Sequence, residues 1–210
     1  RLPVVDPTDR ELWVSLGCAL ENLVIAARAM GYRPEVIYPL EQPIIRVNLT
    51  SDRTQHNRLF EVIPERQNTR CEYDGRLVKI KEFYQVQRVA LEPGIDLRFV
   101  TAPTDIEMVV EYVNQGNLTQ FADKAFIDEL VTWLRFTKNE AIASGDGLYS
   151  VCSGNPQVPR WLGRMFVSTT SPQAQADRDA KKLRSAVGAI VIASEADDRV
   201  AWVRTGQVYE

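Results

Sequence analysis

Histidine is almost missing from this chain: 210 residues hold one, His56. That argues against an imidazole-based metal site or a Ser-His-Asp triad within the chain. Cysteine is scarce as well. Cys18, Cys71 and Cys152 form an odd, widely spaced set with no CxxC and no zinc spacing. Reduced, unpaired thiols in a cytoplasmic protein fit that pattern better than a disulfide framework. An excess of basic residues is absent too. With 25 Lys and Arg against 28 Asp and Glu, the net charge is −3. Nothing draws the whole molecule to nucleic acid or to an anionic membrane, so an anion site has to be a local cluster. No stretch reads as apolar for long enough to span a bilayer, and no initiator Met or signal peptide opens the chain. The ends, RLPVVDP and VYE, are expected to be internal to a longer protein.

The remaining composition, 45% hydrophobic over 210 residues, is ordinary for a globular chain and is enough for one domain or two small ones. The clearest element is VDPTDRELWVSLGCALENLVIAARAMGY. Thr8 and Glu11 suggest a capping box, and Gly31 stands where a C′ glycine belongs. Apolar residues nearly encircle this helix, which predicts burial on most sides. PEVIYPL and PIIRVNLT predict short strands, TQHNRLFEVIPE a short helix ending at Pro64, VKIKEFYQVQRVAL a helix and IDLRFVT a strand. Residues 104–136 carry helical periodicity broken at Gly116, residues 137–161 read as loop, and 171–184 as a polar helix. GAIVIAS predicts a buried strand before a closing helix. Strands interleaved with long helical segments make the fold class α+β (an α/β sandwich) and exclude a bundle.

DRELWVSLGCALE (residues 9–21) and DRVAWVRTGQVYE (198–210) share Asp-Arg, Trp-Val, Gly and Glu at the same offsets. Trp and Gly are uncommon residues to match, and the second copy follows a strand and an Asp-Asp turn. The pattern favours one element present twice.

ERQNTRCEY could carry chemistry. On an extended backbone, alternate side chains share a face, which groups Arg66, Asn68 and Arg70. Two guanidiniums and an amide suit a phosphate clamp, since Arg offers a two-pronged fork to phosphate oxygens. The same residues also suit an exposed edge strand charged for solubility. The surrounding basic run, Arg66 to Lys81, has too few aromatics beyond Tyr73 to suggest RNA binding. Gly145-Asp146-Gly147-Leu148 reads as a loop that covers a ligand or as an ordinary turn. Asp105, Glu107 and Glu111 fit a solvated helix face, and Trp133 and Phe136 fit a core. Cys152 has no visible neighbour that would activate it. Asn48 and Asn117 match the glycosylation pattern, as chance often provides.

IPERQNTRCEYDGRLV resembles the Arg-rich segment near the start of nitroreductase-fold FMN proteins, where a short helix runs into a phosphate-binding strand. The first helix is similar to that family's long central helix through Gly17, Ala19, Asn22, Leu23, Ala26, Ala27 and Gly31. VGAIVIASEADDRVAWVRTGQVYE resembles the strand and central helix of a second copy. The order matches the fused, twin-domain, Acg-like branch. The resemblance covers most of the chain and is weak over 103–187. It implies a mixed sheet flanked by helices around a long buried central helix. It divides the chain into 1–55, the end of a first half, and 56–210, a second half cut inside its central helix. It further implies one FMN per chain, with Arg66, Asn68 and Arg70 on the phosphate and a Pro-Ser loop from the first half lying upstream of residue 1. RVALEPGIDLRFV stands where the family has an Asn-x-Gln-Pro-Trp loop, so the second flavin site is expected to be lost. Gln67-Asn68-Thr69 replaces the family serine or threonine. The implied partners are FMN, NAD(P)H and a small electron acceptor, with no nucleic acid or membrane, in a monomeric pseudo-dimer or a swapped homodimer. No catalytic side chain and no metal ligand is assigned. Two other readings stand beside this one: a non-catalytic flavin-storage relative, and a cofactor-free interaction domain.

Overall fold

The computed structural model describes residues 1–210 except Leu40, Thr69 and Ala90. The chain opens with α1 (Arg10–Ala29). Its start is set by Asp6 and not by the Thr8–Glu11 box. A turn closed by the Asp9 amide on the Asp6 carbonyl puts Asp9 at φ 59° with no capping bond of its own. The buried Asp6 carboxylate accepts from the Leu12 amide at 3.0 Å instead. Gly31, at φ 82°, ends the helix as expected. β1 (Tyr32–Ile37) and β2 (Arg46–Ser51) then form an antiparallel hairpin, with Tyr32 opposite Ser51 and Ile37 opposite Arg46.

α2 (Arg58–Val62) is capped by Asn57 and runs into a 3-10 turn at Ile63–Glu65 that absorbs Pro64. α3 (Ile80–Gln87) and β3 (Ile95–Val100) follow. α4 (Pro103–Ala122) passes through Gly116 without a break, because a single Gly on an open helix face weakens the helix without ending it. The break comes at Asp123, whose carboxylate caps α5 (Lys124–Trp133). β4 (Leu134–Arg135) ends the stretch read as helical, and the stretch read as loop holds α6 (Lys138–Ser144), β5 (Leu148–Tyr149) and the start of α7 (Arg160–Thr169). Thr137 caps α6, and this is a helix start that the polar composition concealed. α8 (Pro172–Ser185) is capped by Ser171, and β6 (Ala189–Ser194) leads to α9 (Arg199–Tyr209), capped by Asp198.

The class is α+β. The expected single mixed sheet is not formed among the described residues, where the strands make three pairs: β1–β2 antiparallel, β3–β6 antiparallel and β4–β5 parallel. The hairpin packs on α1 and the β3–β6 pair on α9, so the strands are sorted by the helix they cover. β6 is also more open than a buried strand, with Ile190 and Val191 exposed.

α1 and α9 are the two copies of the echoed sequence, and they cross at their shared glycine. A Cβ on Gly17 would lie 2.0 Å from the Val203 carbonyl oxygen, and one on Gly206 would lie 1.9 Å from that of Val14. Val14 and Val203 stand at the same offset of the two echoed segments, so the contact is reciprocal, as at a two-fold interface. Leu20, Val24 and Val203 form the core here, with Trp13, Val36, Tyr38, Ile45 and Val47 packed around them. α1 is buried on one face only: Leu12, Leu16 and Leu23 are exposed, as is Met30 just past its end. By length and composition α1 is, contrary to the sequence reading, apolar enough to cross a bilayer, though here it packs against α9 and the hairpin.

Candidate functional site

A cleft of about 840 Å³ opens where the end of α2 meets the α1–α9 pair. Apolar side chains form much of its wall: Val24 and Ile25 from α1, Val36 from β1, Val62 and Ile63 beside α2, and Leu91 before β3. Polar groups converge on it from three elements. Arg66 comes from the residue after the 3-10 turn, Glu21 and Asn22 from α1, and Arg204, Gln207 and Glu210 from α9 and its end.

Arg66 is the hub. Its Nε donates to Oε1 of Glu210 at 2.7 Å, and its Nη2 donates to the second oxygen of the same carboxylate. Nη1 donates to Oδ1 of Asn68 at 3.0 Å. Asn22 Nδ2 donates to Oε1 of Glu210 at 2.7 Å, so the carboxylate is held from two sides. The Glu210 side chain is only 6% exposed. Bonding to Arg66 holds its carboxyl below the usual carboxylate range, with a smaller contribution from Asn22. The same contact raises the pKa of Arg66. Cys18, one position across on α1, is pushed up first by burial and then by the charge of Glu210.

A second chain of bonds lies on the other side of the crossing. Gln207 donates to Glu21 at 3.1 Å and accepts from the Tyr38 hydroxyl at 3.2 Å. The Arg204 guanidinium lies 5.9 Å from the Tyr38 ring centre and donates to the Pro93 carbonyl. Glu21 and Glu210 stand at the same offset of the two echoed segments, as do Cys18 and Gln207. Each glutamate accepts from an amide of the other helix, Glu21 from Gln207 and Glu210 from Asn22, and among the described residues only Glu210 of the two also has an arginine as its partner.

Of the three residues expected at a phosphate, Arg66 and Asn68 are brought together. Asn68 and Arg70 are both exposed and neither is part of the cleft wall, so Arg66 alone of the three lines it. The segment is not a strand: the backbone is extended at Arg66 but pairs with no neighbour. Thr69, part of the substituted Gln67-Asn68-Thr69 triplet, lies outside the described residues. Other candidates sort as the simpler readings require. Asp146 forms an ion pair with Arg135 at 2.6 Å, and a Cβ on Gly147 would strike the Trp133 carbonyl at 2.4 Å, so residues 145–148 are a tight turn away from the cleft. Glu107 pairs with Arg184 at the surface, and Glu111 accepts from Gln115. Phe136 is buried against Gly163. The Asn117 amide is engaged by Asp179.

Asn22, Tyr38, Arg204, Gln207 and Glu210 were not picked out as site residues in the sequence. Their signal was a glutamate at the same offset of both echoed segments, at 21 and 210.

The donor set and the cleft suit a flavin mononucleotide in size and chemistry. Apolar walls would take the ring, and a guanidinium with a nearby amide would take the phosphate. Glu210, bound to Arg66, stands against an anion there, and Glu21, Glu65 and Glu92 add negative charge elsewhere in the wall.

No family model matches the chain, and no solved structure matches it. Two curated proteins do, both titled "Putative NAD(P)H nitroreductase", one from each of two strains of Mycobacterium tuberculosis, CDC 1551 / Oshkosh and ATCC 25618 / H37Rv. Each is 25% identical over 214 residues, covering 99% of this chain. The chain spans 59% of the length of these relatives, and it is to nitroreductase-type oxidoreductases that it is similar.

Proposed function

We propose that this chain is the FMN-binding part of a nitroreductase-type oxidoreductase of the fused, twin-half kind. It would hold one flavin, take electrons from NAD(P)H and pass them to a small acceptor. The carrying observation is the position of Arg66, which follows a short helix and stands at the rim of an apolar cleft formed by the two echoed helices. The similarity to two proteins with NAD(P)H nitroreductase in their titles supports the same reading.

In this reading Arg66 neutralises the phosphate and Asn68 adds a neutral partner, while Arg70 contributes charge from outside the wall. Bound FMN supplies the hydride chemistry, and the protein supplies binding, orientation and electrostatics. The reciprocal contact of Gly17 with Gly206 supports a duplication in which two halves meet as two subunits would. The accessible surface, 14538 Å², supports a larger assembly. A compact monomer of this mass exposes about 10,000 Å².

The test is the visible absorption spectrum of the purified protein, with the released cofactor identified by chromatography. A yellow protein that releases FMN at about one per chain, and that oxidises NAD(P)H, is the expected result. A yellow protein without NAD(P)H oxidation selects flavin storage. A colourless protein that takes up no added FMN overturns the proposal.

A further inference from the structure

The carboxylate of Glu210 sits where an anionic ligand of Arg66 would sit. It uses the Nε–Nη2 edge of the guanidinium with both oxygens, and a phosphate monoester presents the same two-oxygen fork. Asn68 uses Nη1. With Glu210 and Asn68 in place, three of the five N–H groups of Arg66 are engaged, the whole Nε–Nη2 edge among them, and the Arg66–Glu210 pair carries no net charge. A phosphate approaching this pair meets a fixed carboxylate with a low-exposure side chain, so repulsion is poorly screened.

We propose that Glu210 determines the anion affinity of this site: it is an internal competitor that holds Arg66 and must be displaced for a phosphate monoester to bind. The proposal rests on the reading of Arg66 as a phosphate clamp. Asn22 is the fastener, since its amide holds Oε1 of Glu210 at 2.7 Å and so keeps the carboxylate on the arginine. The repeat shows that such a contact is not a necessity of the helix crossing. Glu21 holds the equivalent place on α1 and is met by the neutral Gln207 amide. The charged contact belongs to the Arg66 side alone.

The experiment compares the wild-type protein with Glu210→Gln, Asn22→Ala and the double variant Glu210→Gln/Arg66→Ala. FMN and riboflavin affinities are measured by flavin fluorescence, and stabilisation by inorganic phosphate is measured as a shift in melting temperature. Glu210→Gln should tighten FMN binding by roughly tenfold, the scale of removing one charged hydrogen-bonded competitor, and leave riboflavin unchanged. Inorganic phosphate should raise its melting temperature more than that of wild type. Asn22→Ala should move FMN affinity in the same direction by less, and the double variant should lose the gain. Should Glu210→Gln prove poorly folded, Asn22→Ala decides alone.

Unchanged or weaker FMN binding in folded Glu210→Gln and Asn22→Ala, with no added response to phosphate, overturns the proposal: Glu210 would then only fasten Arg66. If no variant binds either flavin while phosphate still stabilises Glu210→Gln more than wild type, the competition stands and the flavin reading falls.

Discussion

Two helix pairs carry most of the packing, and they are built differently. α1 and α9 cross through Gly17 and Gly206, with backbone against backbone and no room for a methyl group. α4 and α8 run antiparallel, as Asn117 meeting Asp179 and Glu107 meeting Arg184 show. They pack through side chains, with Val110, Ala176 and Ala180 buried between polar rims. The first pair also supplies the polar groups of the cleft. The second supplies none, and its ion pairs face solvent. Glycine at a crossing fixes one geometry, and a site assembled from both helices needs that fixity. Alanine contacts tolerate sliding, which suffices for a brace.

The largest effect should come from Gly17→Ala or Gly206→Ala. Either methyl group meets a main-chain oxygen that cannot rotate away, so the loss should be about 3 kcal/mol or more, read by chemical denaturation. The brace should react less: Ala176→Leu, at a fully buried position, should cost about 1–3 kcal/mol while α8 shifts. Equal losses at both pairs would erase the contrast.

Acid should act on the first pair through Glu210. Its folded-state pKa is depressed by Arg66, so its contribution is complete above about pH 4.3 and is lost as pH falls through the lower folded value. Glu210→Gln should therefore flatten the acid limb of a melting-temperature profile taken from pH 6 to pH 3. Removing the exposed Glu107–Arg184 pair, whose arginine also lowers the Glu107 pKa but in full solvent, should change that limb less. The smallest effect is a gain. Gly116→Ala, on an open face of α4, should stabilise by about 0.5–1 kcal/mol, since nothing lies within reach of the new methyl group.

The helices of both pairs were legible because their signals are local: Gly31 after α1, Ser171 before α8, Asp198 before α9. The start of α1 was misread because Asp6 reaches the helix amides through a turn that composition does not reveal. Gly116 looked like a break, since glycine is a poor helix former, but neighbouring turns carry α4 past it. The sorting of strands into pairs depends on which helix each one covers, a long-range outcome absent from any single segment. At the cleft, Arg66 and Asn68 stood out as spaced basic and amide residues. Glu210 and Asn22 did not, because Asn22 sits among the apolar residues of α1 and Glu210 follows the last turn of α9 with no local pattern around it. Their meeting is decided by the crossing at Gly17 and Gly206, nearly 190 residues apart in sequence.

The central claim is that Arg66 reads a flavin phosphate, and the direct test is to titrate wild type and Arg66→Ala with FMN and with riboflavin. The account expects wild type to prefer FMN, and Arg66→Ala to lose that preference while keeping its far-ultraviolet circular dichroism. Equal affinity of wild type for the two flavins, or an FMN preference that survives in Arg66→Ala, would contradict it.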